Sequence, residues 1–136
     1  MQDNVGIIRT KKDIQDGINK IEEMKLQFQD VKAPGSSQFN PGWHEALALR
    51  NLLISSESVA RSALLREESK GAHTREDFPS EGNEWLEYNI INKKGVNGEM
   101  QTIKVKRSEP DKELKRIANS SIEDLEKEVK IDHNKL

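Results

Sequence analysis

Two apolar stripes separated by a Pro–Gly break constrain this chain more than any other feature. Ile14, Ile18, Ile21, Met24, Phe28 and Val31 recur at alternating steps of three and four, which places them on one face of a helix. Ala46, Leu49, Leu53, Ser56, Ala60 and Ala63 repeat the pattern, and Leu52, Val59 and Leu64 widen it enough to reach two neighbours. The small residues of this second stripe allow close backbone approach. Helix boundaries are also written in the residues. Thr10 with Asp13 is the Ser/Thr-x-x-acid form of a capping box. Pro34 and Gly35 stop the first helix near residue 31, and Asn40 with Pro41 caps and opens the second. Gly71 supplies a left-handed stop for a helix over about 41–70. Gly17 either costs about 1 kcal/mol relative to Ala or permits a neighbour to come close. Upstream, Met1, Val5 and Ile8 stand at helical spacing and predict a further helix over about 1–9, one that begins abruptly, without a polar leader or cap.

Beyond Pro79 the period changes from helix to strand. Leu86, Tyr88 and Ile90 alternate with Glu87 and Asn89; Ile103 and Val105 alternate with Lys104 and Lys106. With the Asn97-Gly98 turn pair between them, they predict a β-hairpin over about 84–107. Residues 108–136 are rich in Lys and Glu. Ser121 and Asp124 offer a capping box there, and Ile122, Leu125 and Val129 a thin stripe. Such a segment reads as a charged tail, a frayed helix or disorder, appended to a domain over 1–107.

Composition sets the outer limits. Of 136 residues, 34% are charged and 33% apolar, a polar balance that points to a solvated tail or an uncovered interface. There is no cysteine, which removes thiol nucleophiles, disulfides and thiolate metal sites from consideration. A net charge of −2 argues against nucleic acid. No apolar run approaches the roughly 20 residues of a membrane span, so no direct membrane insertion is expected. The expectation is a soluble intracellular protein.

Sites of chemistry are sparse. His44, His73 and His133 are far apart and lack partners at metal-ligand spacing. The glycines fall at turns and helix ends rather than in a phosphate-binding loop, and no nucleophile elbow is present. What remains is "ESKGAHTRED", residues 68–77. If the stretch after Gly71 is extended, His73, Arg75 and Asp77 share one face. One reading is an acid/base cluster, as in a small hydrolase centred on His73. The other is a hydrogen-bonded polar seam, with His73 and Arg75 donating to carbonyls or carboxylates. Acid/base work needs substrate-binding groups nearby, and the chain offers no others, whereas a seam needs only a partner surface.

The run from Asn40 to Pro79, followed by a Trp-led strand, resembles the C-terminal region of the succinate dehydrogenase/fumarate reductase flavoprotein subunits. Their hallmark, Glu-Ser-Arg-Gly-Ala-His-x-Arg-x-Asp-(Phe/Tyr)-Pro, is matched at Glu68, Ser69, Gly71, Ala72, His73, Arg75, Asp77, Phe78 and Pro79. Lys70 stands where Arg is usual, keeping the charge but losing the bidentate fork. Ser80 and Glu81 follow Pro79 where the family often continues Arg-Asp. The related L-aspartate oxidases share the architecture but usually carry a bulkier residue at the position of Ala72. An independent helical adaptor is a further alternative. The resemblance implies a mainly α fold: a three-helix, up-and-down, spectrin-repeat-like bundle with an appended β-hairpin and a polar C-terminal tail. It also implies a structural role in an FAD-dependent enzyme interconverting succinate and fumarate. The chain itself would hold no catalytic, cofactor or metal residue. FAD would sit in an N-terminal domain of the same subunit, which residues 68–79 would meet at an interface. An iron–sulfur subunit would be a further partner, and the location cytoplasmic and peripheral to the membrane. Uncovered, His73 and Arg75 would then be at least partly solvent-facing.

Overall fold

A computed structural model describes residues 1–36 and 38–133, with side chains described up to residue 127. Ser37, and the side chains of Val129 and His133, therefore lie outside the described residues. The chain divides into two compact units, Met1–Lys106 and Arg107–Leu136.

The first unit is built on two antiparallel helices, α1 (Lys11–Gln27) and α2 (Pro41–Leu65). Thr10 caps α1: its Oγ1 accepts from the Asp13 N–H at 3.2 Å and donates to Asp13 Oδ2 at 2.6 Å. Asn40 Oδ1 accepts from the Gly42 N–H at 3.0 Å and caps α2, with Pro41 in its first turn. A 3-10 turn, Phe28–Asp30, closes the first helical stretch. The stripes meet as their spacing requires. Ile14, Ile18 and Ile21 of α1 form one core with Leu53, Ala60 and Ala63 of α2, and Phe28 and Leu64 pack at its edge. Farther from this centre the stripes are uncovered: Met24, Val31 and Leu49 are exposed, as are Leu52 and Val59 on the widened face.

Beside this core a charged cluster crosses the helix pair. Glu57 is 1% exposed and accepts from Lys25 Nζ and Arg61 Nε, both at 2.7 Å, while Arg61 also reaches Glu22 at 2.6 Å. Burial pushes the Glu57 carboxyl up, but the two cations outweigh it and hold it below the usual range.

Residues 1–9 are not helical, contrary to the spacing of Met1, Val5 and Ile8. They form a turn, closed by the Val5 N–H on the Met1 carbonyl at 2.7 Å, and then a two-residue strand, β1 (Ile8–Arg9). Gly6 explains part of this, since a Cβ there would lie 2.7 Å from the Gln2 carbonyl. Gly17 explains the rest. A Cβ on it would meet Asn4 at 3.0 Å and Val5 at 3.2 Å, so the glycine lets the turn seat Val5 on α1. The unit thus holds a helix pair and a packed turn in place of three helices. β1 pairs in parallel with β2 (Thr74–Arg75), Ile8 opposite Thr74 and Arg9 opposite Arg75.

The hairpin is present, slightly shorter than its sequence pattern. Leu86 belongs to a 3-10 turn, Asn83–Glu87, and the strands are β3 (Tyr88–Lys94) and β4 (Met100–Lys106), antiparallel from Tyr88↔Lys106 to Lys94↔Met100. The Gly95 N–H donates to the Glu99 carbonyl at 2.8 Å, and Gly98 takes the left-handed conformation, φ 87°, that the Asn-Gly pair predicted. Asn92 fastens the hairpin to α2. Its Nδ2 donates to Ser58 Oγ at 2.7 Å and Ser62 Oγ at 2.8 Å, and its Oδ1 accepts from Thr102 at 2.6 Å.

The second unit contains α3 (Lys112–Asn119) and α4 (Ile122–His133). Ser121 caps α4 through the Asp124 N–H at 3.2 Å. Leu114, Ile117 and Ile122 are all exposed. The protein is therefore mainly α with a β-hairpin. Among the described residues no helix is long and apolar enough to cross a membrane.

Candidate functional site

Helix α2 ends at Leu65, five residues before the expected stop, because of residues that follow it in sequence. Arg66 leaves the helix with φ −82° and ψ 101°. The last carbonyls of a helix lack partners and carry the negative end of its dipole. Arg75 supplies both the hydrogen bonds and the charge. Its Nη1 donates toward the carbonyls of Ala63, Leu64 and Arg66 at 2.9, 3.1 and 3.2 Å, and the residue is fully buried, 0% exposed. The sequence expectation that Arg75 faces solvent is overturned: α2, β1 and the loop cover it within the chain. Its guanidinium also lies 4.9 Å from the Phe78 ring centroid, a cation–π contact.

The rest of the guanidinium fork grips Asp77. Nε reaches Oδ1 at 2.8 Å and Nη2 reaches Oδ2 at 2.7 Å, a bidentate pair. Asp77 Oδ2 in turn accepts the Lys11 N–H at 3.0 Å, at the first turn of α1. A carboxylate thus sits at the positive end of α1 and a guanidinium at the negative end of α2, joined to each other. Arg75 holds the Asp77 carboxyl down to about 2 against the opposing effect of burial, with help from the Lys11 N–H.

The remaining motif residues shape the loop that makes this possible. Gly71 adopts φ 58° in a tight turn whose ends exchange hydrogen bonds, Lys70 N–H to His73 O at 2.9 Å and His73 N–H to Lys70 O at 3.1 Å. Glycine is needed there, but to reverse a loop rather than to end a helix. Ala72 completes the turn, and its carbonyl accepts from Arg9 Nη2 at 3.2 Å. Ser69 Oγ accepts from the Arg75 N–H at 2.8 Å and lies 2.8 Å from the Phe78 carbonyl, to which it donates. Glu68, 1% exposed, accepts from Arg66 Nε at 2.7 Å and from the Gly82 N–H at 2.9 Å. Burial pushes its carboxyl up, and these donors more than offset it. Lys70 makes a longer contact, 3.4 Å, to Glu81. Pro79 follows Phe78 where the chain leaves toward Ser80, whose carbonyl accepts the Ser69 N–H at 3.0 Å.

His73 and Arg75 both meet the Arg66 carbonyl, and Arg75 pairs with Asp77. They do not form an acid/base chain. His73 Nε2 lies 3.0 Å from the Arg66 carbonyl, which can only accept, so that nitrogen carries the proton. Asp77 is committed to Arg75 instead. Burial, then the charges of Arg9, Arg66 and Arg75, lower the His73 pKa from its ordinary value, so the ring is neutral near pH 7. No group of His, Asp and Glu that could hold a metal ion occurs among the described residues. The helix N-termini of α1 and α2, where a dinucleotide phosphate could bind, are capped by the chain's own Thr10, Asp77 and Asn40 oxygens. Neither of these two helix ends is left open to a phosphate. Sequence reasoning missed Arg9, Arg66 and Gly82, whose roles depend on contacts across the fold that no local pattern signals.

Comparisons with known proteins agree with this architecture. The family described as fumarate reductase flavoprotein C-term matches residues 1–129. One polypeptide of the CoM/CoB fumarate reductase of Methanothermobacter marburgensis is 38% identical over 94 residues, 69% of this chain and 17% of that protein. The succinate dehydrogenase flavoprotein subunit of Rickettsia bellii is 35% identical over 92 residues, 66% of this chain and 15% of its own length. Among solved structures, Mycobacterium smegmatis Sdh1 in complex with UQ1 superposes with a TM-score of 0.77 at 36% identity, covering 82% of this chain and 19% of that one. The chain spans about a sixth of the length of the curated relatives it matches. On this match the chain belongs to the fumarate reductase flavoprotein C-terminal family, and it corresponds to the C-terminal domain of succinate dehydrogenase and fumarate reductase flavoprotein subunits.

Proposed function

We propose that this chain braces the flavin domain of an FAD-dependent subunit that interconverts succinate and fumarate, and contributes no catalytic group of its own. FAD supplies the hydride chemistry when bound by that other domain. An iron–sulfur subunit is the onward partner in this reading, and the complex lies at the membrane periphery. The observation that carries the proposal is an uncovered apolar face on a locked helix pair. Leu52 and Val59 are 62% and 52% exposed on one face of α2, and Leu49 and Met24 are exposed beside Leu52 in the helix pair. Patches of this kind mark interaction surfaces. The Arg75–Asp77 clamp supports the same role, because a brace must keep its two helices in fixed register.

The test is a pair of measurements on Leu52→Asp. In the 136-residue chain the change should leave the thermal midpoint nearly unaltered, since Leu52 is exposed. In the complete flavoprotein subunit it should reduce flavin retention and recovery of the assembled complex. Wild-type flavin content and assembly in the substituted subunit would remove this face from the interface.

A further inference from the structure

A cleft of about 440 Å³ opens beside the clamp, with Arg9, Val59, Arg66, His73, Trp85 and Tyr88 among its lining residues. Its charges do not balance. Arg66 is paired with Glu68, and Arg75 beneath is paired with Asp77. Arg9 is half-buried and, among the described residues, has no carboxylate partner; it donates only to the carbonyls of Ile7 at 3.4 Å and Ala72 at 3.2 Å. Those two bonds use Nε and one proton of Nη2, leaving three of the five guanidinium protons without a protein acceptor. His73 adds no donor: its Nε2–H is spent on the Arg66 carbonyl, and Nδ1 of the neutral ring can only accept.

We propose that this cleft is a carboxylate-binding site, with Arg9 as the pairing cation and the Trp85 and Tyr88 rings among its walls. A carboxylate suits the donors better than a bare halide, because an Arg fork offers two parallel N–H groups at carboxylate spacing. Arg9 is placed for the task by backbone pairing: Thr74 N–H donates to Ile7 O and Glu76 N–H to Arg9 O, both at 3.1 Å. The aromatic wall is itself fixed. Lys104 Nζ lies 4.0 Å from the Trp85 ring and 4.2 Å from the Tyr88 ring. Gly82 admits Trp85, since a Cβ there would lie 2.8 Å from the indole. Val59 borders this cleft as well as the apolar face of α2 proposed as the brace surface, but Leu52 does not, so Leu52→Asp and Arg9→Gln test the two readings separately. The carboxylate can arrive as a free small acid or as an Asp side chain on another polypeptide.

Acetate and a blocked Gly-Asp-Gly tripeptide, titrated into the isotope-labelled 136-residue chain, distinguish these sources. The NMR signals of the Arg9 Nε–H and the His73 ring should shift and saturate with at least one probe. Sodium chloride at equal ionic strength should give only small, linear shifts. Arg9→Gln should weaken apparent affinity by about tenfold or more, and Arg9→Lys should retain part of it. Tighter binding of the tripeptide points to a protein-borne acid, and equal or tighter binding of acetate to a free one. Shifts that never saturate, or that saturate equally in folded Arg9→Gln, overturn the proposal. If Arg9→Gln does not fold, Arg9→Lys with unchanged affinity for both probes would do the same, because the fork would then be irrelevant.

Discussion

Arg75 does three things with one side chain: it satisfies the last carbonyls of α2, pairs with Asp77 and stacks on Phe78. Truncation to Ala would leave Asp77 without its counter-charge and buried carbonyls without donors, a combination that costs about 3–5 kcal/mol. Arg75→Ala should therefore lower the thermal midpoint of the 136-residue chain sharply. Arg75→Lys should recover only part, because an ammonium cannot span both carboxylate oxygens and the carbonyls together. Asp77 gives a second, independent reading of the clamp. Its folded pKa of about 2 lies below its ordinary 3.8, so the stability it contributes is complete above the ordinary value. That stability is lost as pH falls through the folded value. Glu57 and Glu68, also held low, act in the same direction. An acid series of thermal melts should thus decline between roughly pH 4 and pH 2, and Asp77→Asn should show a shallower decline on a lower plateau. An identical slope in both proteins would mean that Asp77 is not the group being protonated.

At the scale of elements, the two long helices and the hairpin were legible because each advertises itself locally. The three-four stripes, the Thr10 and Asn40 caps and the Asn97-Gly98 turn are all short-range signals, and each leads to the element found. The misreadings share a cause. Whether 1–9 is helix or turn is decided by Gly17, which lies on another element and admits Val5. Whether α2 stops at Leu65 or continues to Gly71 is decided by Arg75, further along the chain. Glu57 escaped notice for the same reason, since its i, i+4 partner Arg61 is visible but Lys25 comes from the facing helix. Local pattern cannot show such contacts. The packing itself is testable. Leu53 is buried between α1 and α2, and Leu53→Ala should cost about 2–5 kcal/mol, as truncation of a core Leu does. Asn92→Ala should cost less, about 1–2 kcal/mol, because Ser58, Ser62 and Thr102 can turn to water once their shared partner is gone. A fall in the Leu53→Ala midpoint no larger than that of Asn92→Ala would place the hinge of stability in the hairpin contact instead.

On the scale of the whole molecule, the two units rest on different physics. Met1–Lys106 holds a core in which Ile14 and Ala60 are completely buried, and long-range hydrogen bonds tie residues 7–11 to 72–77. In Arg107–Leu136, α3 has 8 residues and α4 has 12, lengths at which an isolated helix is marginal in water. Leu114, Ile117 and Ile122 remain exposed, so little apolar burial offsets the entropy of ordering them. Among the described residues, Glu113 with Arg116, Asp124 with Lys127 and Lys115 with Glu109 are surface pairs in water, too weak to order the helices by themselves. Amide hydrogen exchange should therefore separate the units cleanly. Amides of α1 and α2 facing the Ile14–Leu53–Ala60 core should exchange only through global unfolding, with protection tracking total stability. Those of α3 and α4 should exchange orders of magnitude faster and should not respond to Leu53→Ala, which the core amides must follow. Protection in α4 as high as in α1, and falling with it in Leu53→Ala, would show one cooperative unit where the helix lengths and exposures argue for two.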